Sequence, residues 1–416
     1  MNQALKIYLV WFFVLFPFLI KAQDSIQFKN NKDLFTQPIG QIIKDHTPID
    51  IIDIGRFIKN KNSEFRYYTL DYKYRKLHAS AVPAAGYTLV NGFIAAMNGN
   101  VAFYASDLPY QKITNIVTSI AFTEKKQIIF PLSINYWTKG NKFNIISEWR
   151  YLQYPSPDYQ IPVNTTGGSS YTLNFSSLKF HQSVFRNISK NLYAGGGYYL
   201  DYIWNIEEQG LEAGTVTTLE QYGLSKTEIS SGLSLRLLYD SRLNQINPDN
   251  GFYANIEFRP CFKFMGSQNN WQGMLFDFRK YIKLPNQSKN ILALWSYNWL
   301  TLGNTPYLML PSTGWDDGFN TGRGYIQSRF RGKDMIYMEA EYRFGITNNG
   351  LIGGVLFVNT QALNSDTGQK IVTIAPACGT GIRVKFNKFS RTNVALDYGF
   401  GLDGSHGFFV NLGEVF

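Results

Sequence analysis

From about Ser80 to Phe416 the chain repeats one unit, a stretch of about ten residues in which apolar and polar side chains alternate, closed by a turn. A period of two puts successive side chains on opposite faces of a strand, so this region cannot be built as a helical core. Between Lys126 and Trp137, the residues Ile128, Phe130, Leu132, Ile134 and Tyr136 share one face, opposite Gln127, Ser133 and Asn135. Leu233, Leu235, Leu237 and Tyr239 oppose Ser234, Arg236 and Asp240. Phe252, Ala254, Ile256 and Phe258 oppose Tyr253, Asn255, Glu257 and Arg259, and Val394, Leu396, Tyr398 and Phe400 oppose Asp397. Charge sits on one side only. Lys or Arg on a lipid-facing side at mid-bilayer costs roughly 2–4 kcal/mol, whereas a wet lumen accepts either. The pattern predicts an all-β fold, a transmembrane antiparallel β-barrel.

Segments begin near residues 80, 92, 112, 126, 141, 171, 190, 227, 251, 270, 289, 333, 350, 372, 391 and 405, which makes about sixteen strands. With both ends on the periplasmic side, the short connections fall together: Lys139–Asn141, Asn247–Gly251, Pro285–Lys289, Thr347–Gly350 and Asn387–Ser390. Long connections, Leu152–Ser170, Ile206–Lys226 and Gly303–Lys333, fall on the other side. A soluble sandwich also alternates, but nothing in it sorts turns from loops, whereas an outer-membrane barrel does. The 27 Tyr, 32 Phe and 36 Gly suit lipid-facing strands and interfacial girdles.

The organisation expected is a signal peptide at 1–23, a short periplasmic extension at 24–79, and a barrel at 80–416 with a lumen-directed loop at 303–332. Lys6, the apolar run Ile7–Ile20 and the small Ala22 make the export signal, and the run is shorter than the ~20 residues of a spanning helix. Phe35, Ile39, Ile42 and Ile43 lie at helical spacing in the extension. A mean hydropathy of -0.19 excludes a polytopic helical membrane protein.

The balance of 40 Lys plus Arg against 30 Asp plus Glu does not indicate nucleic acid, because the basic residues are scattered singly rather than gathered in blocks. Outer-membrane lipid, the phosphates of lipopolysaccharide and an acidic partner are the expected counter-charges. Cys261 and Cys378 lack metal-ligand spacing. The four histidines, His46, His78, His181 and His406, pair with no Ser or carboxylate at a catalytic spacing, and no phosphate-binding glycine loop is present. Asp316 and Asp317 read as loop residues rather than a Ca²⁺ site. The sequence therefore points to no enzyme, no metal and no cofactor.

Three segments resemble the BamA/TamA superfamily of outer-membrane assembly and secretion barrels, also called the bacterial surface antigen family. Asp240-Ser-Arg242 followed by Pro248 and Gly251-Phe-Tyr253 is similar to its D-x-R…P-x-x-G-F/Y hairpin, which implies a tight periplasmic turn with Asp240 and Arg242 at the rim. Gly322-Arg323-Gly324-Tyr325 looks like the R-G-Y/F motif of the long sixth extracellular loop. In the family that loop folds into the lumen and docks its Arg on inward-facing strand residues. Alternation in Met335–Phe344 turns Glu339, Glu341 and Arg343 inward and Ile336, Met338, Ala340 and Tyr342 outward, so Arg323 is expected to meet carboxylates. Where the family carries F-x-D-x-G, this chain has Phe357-Val-Asn359-Thr-Gln361, which leaves Asn359 as an uncharged partner.

The end of the chain, Phe408 to Phe416, resembles the β-signal of outer-membrane barrels, with Phe408, Val410, Leu412 and Phe416 on one face and Gly413 three before the end. Together the resemblances imply a barrel of the branch without periplasmic repeats. It would help to insert or translocate outer-membrane proteins or another substrate through a weak seam between the first and last strands, with client barrels or subunits as partners. The other reading is a structural or pore-forming subunit of an outer-membrane complex.

Overall fold

Alternation along the chain becomes one antiparallel sheet of seventeen strands. In chain order these are β1 (His78–Thr88), β2 (Gly92–Tyr104), β3 (Ile113–Thr123), β4 (Ile128–Trp137), β5 (Phe143–Gln153), β6 (Ser156–Asp158), β7 (Tyr171–Ser189), β8 (Leu192–Gln209) and β9 (Thr227–Asp240). There follow β10 (Gly251–Cys261), β11 (Trp271–Lys283), β12 (Ile291–Gly303), β13 (Asp334–Gly345), β14 (Ile352–Asn364), β15 (Ile371–Asn387), β16 (Thr392–Phe400) and β17 (His406–Leu412). The computed structural model describes residues 48–61, 66, 77–88, 92–159, 170–211, 214, 216–223, 225–286, 288–364 and 371–416. The export signal, the helix expected around Phe35–Ile43, and His46 lie outside those residues.

β6 is a three-residue strand laid on the end of β7. The other sixteen form the wall, and each begins within two residues of the start read from the sequence. The agreement follows from phase. A one-residue slip would carry every lumenal charge to the lipid face, so the pattern fixes the phase of each strand. Leu233, Leu235 and Leu237 are exposed on the outside of β9 while Ser234 and Asp240 are buried inside.

Chain neighbours pair all the way round, from β1 with β2 to β16 with β17. Among the described residues no register joins β1 to β17, so the sheet is rolled but not zipped. The roll brings the two ends near each other at the rim of short turns, where Thr392 Oγ1 on β16 donates to Asn100 Oδ1 on β2 over 3.5 Å. His78 at the foot of β1 stacks on Phe389, between β15 and β16, with centroids 5.7 Å apart.

A helix, α1 (Ile51–Lys59), lies under this rim. Asp50 caps it, accepting from the Asp53 amide at 2.8 Å. Asp53 accepts from Lys388 Nζ at 2.8 Å and Arg66 Nε at 2.7 Å, which ties the helix to the β15–β16 turn. Burial pushes the Asp53 carboxyl up, but Lys388 and Arg66 outweigh it and hold the group below the ordinary 3.8. Because the docked state prefers the ionised form, the contribution is full above the ordinary value and is lost as pH falls through the depressed one. Amide-exchange protection of Ile51–Lys59, normalised to free peptide, is expected to hold at pH 7 and to fall in acid below about 3.8, ahead of the strands.

Candidate functional site

The connection between β12 and β13 leaves the rim and turns back into the barrel, closed on itself by a bridge between Ser312 and Arg331. Asp316 shapes its tip by accepting from the amides of Gly318, Asn320 and Thr321, and so works as a turn former. Gly322 and Gly324 have positive φ of 77° and 112°, a conformation that glycine adopts at no steric cost. Between them Arg323 is driven onto the inner wall of β13–β16 and is 0% exposed.

Its guanidinium meets three carboxylates. Glu341 Oε2 lies 2.6 Å from Nη2, Glu339 shares the same nitrogen, and Asp397 of β16 takes Nη1. The Phe357 ring lies beneath the cation, 3.8 Å away. Asn359 does not face the guanidinium. Its side-chain amide donates to the main-chain oxygen of Arg323 at 2.9 Å, fixing the loop rather than its charge. The carboxylates expected from β13, Glu339 and Glu341, are thus joined by a third from β16, Asp397. Tyr325 completes the motif, donating to Pro376 O at 2.5 Å and accepting from the Leu402 amide at 3.0 Å.

Two further guanidiniums extend the cluster. Arg343 Nε reaches Glu341 at 2.6 Å, and Arg383 reaches Asp397 at 2.5 Å and Glu414 at 2.7 Å. Three arginines thus face four carboxylates, Glu339, Glu341, Asp397 and Glu414, in the lumen. Glu414 links the cluster to the end of the chain, where the structure departs from the sequence reading. Phe408 and Val410 are exposed on the outer face. Phe416 is not with them. β17 ends at Leu412, Gly413 takes φ 112°, and the next residues swing inward. Phe416 is only 3% exposed, stacked on Trp295 at 5.1 Å, and its main-chain oxygen accepts from Arg343 at 3.0 Å. Alternation could not foresee this, because one residue of positive φ resets which face follows.

The Asp240–Arg242 segment also differs from expectation. Asp240 and Arg242 are both buried and paired at 3.1 Å. Lys112 Nζ, ahead of β3, donates to the main-chain oxygens of Asp240 and Arg242 at 2.5 and 2.7 Å. The connection is no tight turn: it runs from residue 241 to 250, with Pro248 near its end and Gly251 opening β10 at φ 111°. Elsewhere in the lumen His181 Nε2 lies 2.9 Å from Asp201, which also takes Arg259, and these line a cavity of about 120 Å³ under the long loop. Cys261 and Cys378 are both free thiols.

Compared with known proteins, residues 126–416 match the Omp85 superfamily domain. The chain belongs to the Omp85 superfamily. It is an outer-membrane β-barrel of that superfamily. No curated protein matches it. Among solved structures, CdiB from Escherichia coli is similar with a TM-score of 0.51 at 10% identity, over 80% of this chain and 62% of that one. CdiB from Acinetobacter baumannii gives 0.49 at 12%, over 81% and 60%. BamA from Haemophilus ducreyi lacking POTRA domains 1–3 gives 0.48 at 12%, over 86% and 77%. The chain spans about three-fifths of the length of either CdiB chain.

Sequence reading of this Omp85 barrel missed the seat for the loop motif. Asp397 was recognised as inward but not as a partner of Arg323, because the two are 74 positions apart. Glycines clear its space: a Cβ at Gly381 would sit 1.8 Å from Asp397 Oδ1, and one at Gly399 would sit 2.7 Å from the Gly324 nitrogen. The available signal was glycine recurring on the inward phase of neighbouring strands, at 379, 381, 399 and 401.

Proposed function

We propose that this Omp85 barrel helps to insert or translocate outer-membrane proteins, or another substrate, through the seam between β1 and β17. The observation that carries the reading is that this boundary alone, among the described wall strands, has no pairing register. An edge strand with unpaired amides and carbonyls is a template for an incoming strand. Pro83 lies in β1 and removes a donor there, and Gly413 ends β17 early, so both edges are poor partners for each other.

A steady open pore is the less favoured second reading, because the lumen is occupied. The long loop fills it from one rim, and the Ser241–Asn250 connection and the inward tail cross the other. The deciding experiment is depletion of the protein followed by quantitative proteomics of the outer membrane. A fall in several unrelated barrels, with precursors accumulating in the periplasm, is expected, and wild-type protein but not Arg323→Ala should restore them. An unchanged barrel population would overturn the insertion reading and leave a structural subunit with a dedicated partner.

A further inference from the structure

A barrel whose first and last strands do not pair needs something else to hold its edges together. The connection between β9 and β10, Ser241–Asn250, arises about half-way round the wall from the seam, yet its middle lies at the seam's base. Ile246 is 5% exposed and packs on Ala102 of β2 and Ile113 of β3, on the β1 side. From the same residue the main-chain oxygen accepts from the Glu414 amide at 3.0 Å, on the β17 side. Asn244 donates to Ser390 O, in the β15–β16 turn, at 3.0 Å. Its own Oδ1 accepts from the amides of Ile246 and Asn247 at 2.9 Å each, which sets the bend that presents Ile246. At its root the connection is anchored by the buried Lys112, on the β1 side of the seam.

We propose that Ser241–Asn250 is a clasp across the periplasmic mouth, which holds the two edges of the seam together in place of β1–β17 pairing and must leave its seat for the seam to open. The physical case is that one short segment makes apolar contact with one side and hydrogen bonds with the other, while the edge strands make no ladder. Both sets of contacts are at the periplasmic rim, so the clasp closes the seam at its foot and leaves the membrane-facing part of each edge unpaired. The inference shares the seam with the proposed function, but its test reads geometry and not insertion, so either can fail alone.

Spin labels at Ala81 on β1 and Val410 on β17, both exposed on the outer face, report the width of the seam in lipid bilayers. The labels go into the full chain with Cys261→Ser and Cys378→Ser. With the clasp intact the distance distribution should be single and narrow. Ile246→Glu, which places a charge in the apolar seat, should shift it outward by about 5 Å or more, roughly one strand spacing, or split it. A folded Ile246→Glu protein with an unchanged distribution would overturn the proposal. If that variant does not fold, Ile246→Ser combined with Asn244→Ala takes its place, removing the apolar contact and the bend without burying a charge. Read by the same pair of labels, a wider or split distribution is expected, and an unchanged one would sink the idea.

Discussion

Replacing Arg323 by Ala should release the long loop from the lumen and produce the largest loss of order of any single substitution in this barrel. The guanidinium is shared by Glu339, Glu341 and Asp397, all fully buried. Removing one partner of a buried ion pair costs roughly 3–5 kcal/mol, because the remaining charges stay out of water without compensation. Here Glu341 and Asp397 keep Arg343 and Arg383, while Glu339 keeps the Tyr337 hydroxyl and, among the described residues, no cation. Trypsin added from outside should then cut at Arg329 or Arg331, sites that the docked loop shields, and the melting temperature should fall. Arg323→Lys should recover only part of the loss, since one ammonium cannot span carboxylates from β13 and β16 as a planar fork does. Adding Glu339→Gln and Asp397→Asn to Arg323→Ala should recover some stability by removing the stranded charges. Wild-type protease resistance and melting in Arg323→Ala would show that the loop is held by its other contacts.

Gly399→Val should displace the same loop without touching a charge. A Cβ at Gly399 would lie 2.7 Å from the Gly324 nitrogen and 2.9 Å from its Cα, so backbone faces backbone and neither side has a rotamer to yield. Overpacking of this kind costs about 1–3 kcal/mol. The strand itself would gain, because Val suits a strand better than Gly does, so any loss must come from the loop contact. Gly407→Val is the control, with nothing closer than the Phe409 ring at 3.9 Å, and it should melt as wild type does. Gly401→Val meets the Tyr325 ring at 2.5 Å, whose hydroxyl is held by two hydrogen bonds, and the Gly324 main-chain oxygen at 2.9 Å, and should melt low as Gly399→Val does. Equal melting for all three would mean that the loop sits elsewhere in the membrane-embedded protein.

Glu339 and Glu341 were legible as lumenal because alternation in β13 carries no break and its apolar set needs lipid. Arg323 was legible as their partner only through the motif around it and the charge waiting inside. Asp397 was legible as inward, but a pairing across 74 positions has no local signature. Phe416 was misplaced because Gly413 breaks the alternation at φ 112°, a choice that the surrounding Arg383, Asn320 and Trp295 make rather than glycine itself. The Ser241–Asn250 connection read as a turn because Pro and Gly mark turns equally well at the ends of a longer strap.

What the sequence by itself determined is the wall: strand number, the approximate start of each strand, and which face meets lipid, since those rest on a two-residue period whose violation would put charge into a bilayer. What only the tertiary structure decided is the content of the lumen and the state of the seam. Arg323 with Asp397, Phe416 on Trp295, and Ile246 between β2 and the tail join segments that are far apart in the chain, and their energies arise only once the sheet has rolled. Local pattern sets the face of each strand, and closure of the roll sets what meets across it.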